Sequence, residues 1–273
     1  MTTIPPLHVG CAMWTHPAWP WRSGDRLRAY AEHCDAVEGN TTFYATPSHD
    51  TVASWARQTG PDFRMVLKLP RAVTHEQRLR DGGETLAFLR TIEPLGPRVH
   101  ALWIQLPASF GPPDVPALDD FLRGLPARHR YAVEVRHPRF FERPDELSGV
   151  LARHGAEWIP FDTTTLFSSP PTSEAERDAW AKKPRNPLRT EALTEFPIVR
   201  YIGRDDPAET VQGWQRWIAV TKAWLLEGRS PTVFVHTPDN ADAPRLAREF
   251  HAAVRREVPD LPPLPDPEPL TLF

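Results

Sequence analysis

Eight short apolar, β-branched or aromatic runs recur along the chain, and patterns with helical spacing separate most of them. The runs are residues 7–13, 36–40, 63–69, 99–106, 131–136, 157–162, 197–203 and 232–236. The helical patterns cover 26–33, 51–59, 86–93, 118–124, 144–154, 210–227 and 243–258. Asp50 is placed to cap the second of these, and Asp145 and Glu146 fall in the first turn of the fifth. Strands alternating with helices call for a parallel sheet. Eight such units in 273 residues, without a second composition regime, predict an α/β fold of one domain. The expected architecture is a (β/α)8 TIM-type barrel over residues 1–258. Two segments fall outside the alternation. Residues 163–195, after strand six, predict a long loop of the kind used as a lid. Residues 259–273 form a proline- and acid-rich extended tail that cannot pack a core of its own.

Charge and cysteine content narrow the function classes. A net charge of -3 argues against a globally basic nucleic-acid binder, though not against a local basic patch. The basic residues are mostly arginine, with lysine only at 68, 182, 183 and 222, so planar bidentate donors dominate. Cys11 and Cys34 sit in or beside apolar runs and read as reduced core thiols of a cytoplasmic protein. Two thiols without nearby partners cannot close a metal shell. The first seven residues lack an apolar core of signal length, and no run approaches the roughly 18 apolar residues of a membrane span.

In a parallel barrel, chemistry sits at the C-terminal ends of the strands. Those ends carry Trp14; Glu38 and Asn40; Lys68, Arg71 and His75; Gln105; Glu134, Arg136 and His137; Asp162; Arg200; and His236, Asp239 and Asn240. The stretch Glu38-Gly-Asn-Thr-Thr-Phe-Tyr44 is the centre of this set. Glu38 and Asn40 would share one strand face, and a buried acid is costly unless paired or used. Glu38 and Glu134 are the expected acid–base pair, with Asp162 assisting. The competing reading is that each glutamate simply pairs with Lys68 or Arg136 in a structural ion network. Glu134 and Arg136 would share a face, and Arg136 could fork onto a phosphate. Lys68, Arg71 and His75 are three potential cations within eight residues. Trp14, Trp19 and Trp21 with Phe43 and Tyr44 could form an aromatic wall that stacks a base or a sugar; Phe43 reads as core, and Trp14 and Tyr44 are the expected stacking residues. His236, Asp239 and Asn240 with Glu38, Glu134 and Asp162 have donor types that suit a divalent cation. Their spacing decides nothing, the cofactor stays open, and a metal-free site is preferred.

Taken together, Gly10…Trp14…Trp19, Val37-Glu-Gly-Asn-Thr-Thr-Phe-Tyr44, Lys68-Leu-Pro-Arg-Ala-Val-Thr-His75, Gln105-Leu-Pro-Ala-Ser-Phe110 and Tyr131-Ala-Val-Glu-Val-Arg-His-Pro138 resemble the YecE-like domain-of-unknown-function family, DUF72. Asp162, Val199-Arg-Tyr-Ile-Gly203 and Asp239-Asn240 extend the resemblance over nearly all the chain before the tail. It implies a TIM barrel related in shape to endonuclease-IV-like and sugar-isomerase barrels, and no established activity. The chain departs from the family pattern at Gly10-Cys-Ala-Met-Trp14, where Gly-Thr-Ser-Gly-Trp is usual. It departs again at Val235-His-Thr-Pro-Asp-Asn240 and at Ile202, where a His is usual.

The expected function is action on a phosphate-bearing substrate at the barrel mouth, either nucleic acid or a nucleotide fragment. Lys68 and Arg136 would neutralise the anion, and Asn40 and Gln105 would orient it. A glycosidase-like use of the two glutamates and a non-catalytic nucleic-acid-binding or repair adaptor are the alternatives. The tail adds a partner: Leu270, Leu272 and Phe273 match the apolar positions of the peptide by which bacterial repair proteins dock on the replication sliding clamp, with Pro269 replacing its Gln.

Overall fold

The computed structural model describes residues 4–20, 25–80 and 82–265. Nine strands make one all-parallel sheet: β1 His8–Cys11, β2 Ala36–Gly39, β3 Arg64–Lys68, β4 Val99–Gln105, β5 Tyr131–Glu134, β6 Glu157–Trp158, β7 Phe161–Asp162, β8 Ile198–Ile202 and β9 Thr232–His236. Their order is β6-β5-β4-β3-β2-β1-β9-β8-β7. The two end strands are therefore halves of one segment. Ile159 N donates to Val133 O on β5 at 2.9 Å, and Pro160 O accepts from Arg200 N on β8 at 3.0 Å. The expected sixth strand thus exists, but it changes partners midway and joins the two ends of the sheet. Pro160 suits that crossover because it has no N–H to leave unpaired.

Side-chain alternation sorts the strands into an inner and an outer set. Ala36, Val66, Ala101, Trp103, Ala132, Ile159, Ile198 and Phe234 form a closed apolar cluster inside the sheet. Val37, Met65, Leu67, Leu102, Ile104, Val133, Val199, Val233 and Val235 point outward into the larger core under the helices. Next to β1 the approach is close. A Cβ on Gly10 would lie 1.9 Å from Ala36 O. The Tyr30 hydroxyl there accepts from Cys11 N and donates to Ala36 O, both at 2.7 Å.

Several expected elements shift for local reasons. Strand β2 ends at Gly39, because Asn40 has helical backbone angles and opens the short helix Thr41–Tyr44. Asn40 therefore does not share a strand face with Glu38. The next helix is His49–Gln58, capped by Ser48, whose hydroxyl accepts from Thr51 N; Asp50 sits in its first turn instead of at the cap. The pattern over 210–227 is two helices, Pro207–Gly213 and Gln215–Leu226, broken at the buried Trp214. Residues 163–195 are not a bare loop: they contain the helix Glu174–Lys182, capped by Ser173. The buried Arg204 holds that helix through Glu176 at 2.7 Å. The first tail residues lie on the barrel, with Leu261 buried and its carbonyl accepting from Arg255 Nε. No helix among the described residues is long and apolar enough to cross a membrane.

Candidate active site

One step along each strand from the inner apolar cluster, toward the C-terminal ends, the inward side chains become charged. Glu38, Lys68, Gln105, Glu134, Arg200 and His236 come from six different strands, and each is less than a tenth exposed. Lys68 Nζ lies 2.8 Å from Glu38 Oε1 and donates to Gln105 Oε1 at 2.9 Å. Arg200 spans the two carboxylates, with Nε 3.1 Å from Glu38 Oε2 and one terminal nitrogen 3.8 Å from Glu134 Oε2. His236 Nε2 is 2.9 Å from Glu38 Oε2. Arg136 Nε donates to Glu134 Oε1 at 2.8 Å. Both pairings of a structural network, Glu38 with Lys68 and Glu134 with Arg136, are therefore present. Arg200 ties them into one cluster.

Aromatic rings carry the cations. Lys68 Nζ is 4.6 Å and the Arg200 guanidinium 5.7 Å from the Trp103 ring centre. The Phe161 ring lies 4.7 Å from Arg200, 5.6 Å from Arg136 and 6.0 Å from Lys183 Nζ. Such contacts strengthen when water is excluded.

Burial by itself would raise the Glu38 carboxyl, but Arg200, Lys68 and His236 outweigh it and hold it well below the usual carboxylate range. Glu134 is likewise held down, by Arg136, Arg200 and Lys68 against its burial. Burial pulls Lys68 down to about 8, with Glu38 resisting and Arg200 assisting. His236 falls to about 4 through burial, despite Glu38. The cluster thus keeps two ionised carboxylates and a neutral imidazole at neutral pH. Two carboxylate oxygens in it are buried without a hydrogen-bond donor: Glu38 Oε1, which has the Lys68 ion pair, and Glu134 Oε2, whose nearest cation is Arg200 at 3.8 Å.

Other predicted residues lie at the rim or face elsewhere. Burial, Arg136 and Arg71 push His75 down to about 4, so it borders the cluster, and its Nδ1 is 2.9 Å from Thr74 Oγ1. Arg71 is exposed, 3.4 Å from Glu76. Asn40 Nδ2 donates to Ala12 O, fixing the first loop to the second. His137 accepts from Arg139 N and rests against Gly111. Trp14 meets Trp55 edge-on at 5.3 Å, and Tyr44 is 80% exposed beside Phe43. Asp239 organises its own turn by accepting from Thr237 Oγ1 and Ala241 N. Asn240 has a left-handed backbone, and its buried Oδ1 has no hydrogen-bond partner. Asp162 points away: its carboxylate accepts from Trp217 Nε1 at 2.7 Å and from Thr164 N and Oγ1, because Phe161 takes the inward position of that strand. Among the described residues no group of three or more His, Cys, Asp or Glu is placed to hold a metal ion. Trp21, Pro269, Leu270, Leu272 and Phe273 lie outside the described residues.

Lys183 is the mouth residue that the strand-end rule misses. It follows the helix Glu174–Lys182 in sequence and is placed by tertiary contacts: Lys183 N donates to Ala179 O, Thr163 Oγ1 to Pro184 O and Asn186 Nδ2 to Val135 O. Burial, then Arg200, pull its amine down to about 7. No signal short of the fold itself marks it.

A family model described as "Protein of unknown function DUF72" matches residues 8–269. Two relatives called UPF0759 protein YecE, from Escherichia coli O157:H7 and strain K12, are each 37% identical over 272 residues, covering 98% of this chain and 100% of theirs. Among solved structures, a DUF72 family protein of Thermotoga maritima aligns with a TM-score of 0.67 at 21% identity, covering 92% of this chain and 99% of that one. A DUF72 family protein of Enterococcus faecalis also gives 0.67, at 17% identity, covering 91% and 95%. At these identities the structures bear on the fold alone, and they agree with a barrel.

Proposed function

Since the chain belongs to the DUF72 family, whose function is not established, we propose from its site that it binds and hydrolyses a phosphate-bearing small substrate, a nucleotide or nucleotide fragment, at the C-terminal mouth of the barrel. The observation that carries this reading is the imbalance of charge. Lys68, Arg136, Arg200 and Lys183 gather around only two carboxylates, Glu38 and Glu134. A purely structural network needs no such surplus, whereas an incoming dianion would complete it. In this reading Arg136, the more accessible arginine, meets the phosphate first, and Arg200 and Lys68 hold the deeper charge. Glu134 Oε2, ionised and without a donor, takes a proton from the attacking water. The recessed position favours a fragment over a duplex. Both glutamates are held ionised, which tells against a glycosidase, because that chemistry needs one carboxyl kept protonated. Two buried, unbridged thiols support a reducing, cytoplasmic setting.

The test is calorimetric titration with a nucleoside monophosphate, the matching nucleoside and a neutral hexose. The phosphate ester alone should bind, and Arg136→Gln should weaken it about tenfold, the worth of one charge-assisted contact. Equal binding of the neutral sugar would reverse the assignment in favour of carbohydrate.

A further inference from the structure

Three cations of the mouth, Lys68, Arg136 and Arg200, have carboxylate partners; Lys183 does not. No ion pair or hydrogen bond engages its Nζ among the described residues, although its side chain is half-buried beside Phe161, Arg200 and Arg136. The backbone on both sides is fixed. Thr163 holds Pro184, Asn186 holds the end of β5, and the Arg204–Glu176 pair anchors the helix that leads into it. The amine is therefore presented to the mouth without being used to hold the fold together. A surface lysine behaves differently: Lys182, its neighbour, is exposed and paired with Asp178.

We propose that Lys183 is a carbonyl-capturing nucleophile, and that the substrate class is a phosphate-bearing aldehyde or ketone, such as an open-chain sugar phosphate. It rests on the anion site argued above and goes beyond that reading: the phosphate is carried by a carbonyl compound, and the step is addition to the carbonyl in place of hydrolysis. Arg136 and Arg200 seat the phosphate, and the carbonyl carbon comes to the Lys183 Nζ. The nitrogen lone pair forms the C–N bond, and the C=O π pair moves to oxygen. One proton passes from nitrogen to that oxygen through water, giving the carbinolamine. A proton from solvent then goes to that hydroxyl, the C–O bond breaks to release water, and the nitrogen lone pair closes the C=N bond, leaving a protonated imine. No oxidant or reductant is needed, and hydrolysis returns the free amine. A lysine crowded by other cations and partly removed from water presents free amine near neutral pH, which is what such an addition requires.

The chain has four lysines, at 68, 182, 183 and 222, which makes the test direct. The full-length protein is incubated at pH 7 with glyceraldehyde 3-phosphate and cyanoborohydride, and the labelled lysines are identified by peptide mass spectrometry. Lys183 should label at least about tenfold faster than Lys182 or Lys222, as expected for an activated amine. Glyceraldehyde without the phosphate should label it more slowly, inorganic phosphate should compete, and Lys183→Arg should lose the label. In parallel, the shift in melting temperature caused by inorganic phosphate is recorded. Even labelling of the three accessible lysines, or none at Lys183, with the phosphate shift intact, overturns the nucleophile and leaves the anion site standing. Absence of any phosphate shift overturns the anion site and this proposal with it.

Discussion

At the scale of single residues, the site depends on buried charges that compensate one another. Lys68 is 3% exposed and faces Glu38, Gln105 and the Trp103 ring. Removing one member of a buried ion pair leaves its partner's charge uncompensated, a loss of about 3–5 kcal/mol. Arg200 and His236 remain beside Glu38, so Lys68→Ala should fall toward the low end, about 3 kcal/mol, in urea unfolding. A loss under about 0.5 kcal/mol, typical of a surface pair, would contradict the geometry. Acid sensitivity follows from the same cluster. His236 is held at about 4, and Glu38 and Glu134 are held below their ordinary range. The unfolded chain binds protons more readily than the folded one at each of these groups, so stability rises with pH. The contribution of these three groups should be complete above pH 6.5 and decline toward pH 4, with His236 alone accounting for about 3 kcal/mol. Unfolding measured across that window should show the decline, and His236→Gln should make it shallower without removing it, because burial also lowers His75, His251 and His100; a flat parent curve would refute the assignment.

At the scale of elements, what could be read from the sequence depended on how much apolar signal each segment carries. The strands were legible because each is an apolar run, and Glu38, Lys68, Glu134 and Arg200 stood out as charges inside such runs. The side each residue faces was less legible. Asp162 was expected in the site, yet Phe161 takes the inward place, and Asp162 serves Trp217. The helix Glu174–Lys182 escaped because it lacks an apolar stripe; its buried residues are Glu176 and Ala179. Ser173 followed three residues later by Glu176 was the available signal. Lys183 had none, since its position depends on Thr163, Asn186 and Arg204 acting from elsewhere in the chain. Arg204→Ala should therefore act on the segment more than on the barrel. Amide exchange should accelerate over residues 172–190 while β2, β3 and β4 stay protected, and affinity for a nucleoside monophosphate should fall. Uniform acceleration over the strands would show that the segment and barrel unfold together.

At the scale of the whole molecule, eight strand positions bring distant residues to one place: Glu38 and His236 meet although 198 positions separate them. A barrel closed by one segment that changes partners at Pro160 makes that convergence rigid. The tail belongs to the same scale. We propose that its last residues dock on a bacterial sliding clamp, because Leu270, Leu272 and Phe273 repeat an apolar docking pattern after a proline-rich stretch. The full chain should bind the clamp at roughly micromolar affinity. Deleting residues 270–273 should abolish binding without moving the melting temperature; equal binding by the truncated chain would end the idea. The central claim, an anion site at the mouth, is tested most directly by a crystal structure with a bound nucleoside monophosphate. The account predicts phosphate oxygens within hydrogen-bond distance of Arg136, over the Phe161 ring. Phosphate bound elsewhere, with Glu38, Lys68, Glu134 and Arg200 undisturbed and the mouth holding only water, would contradict it.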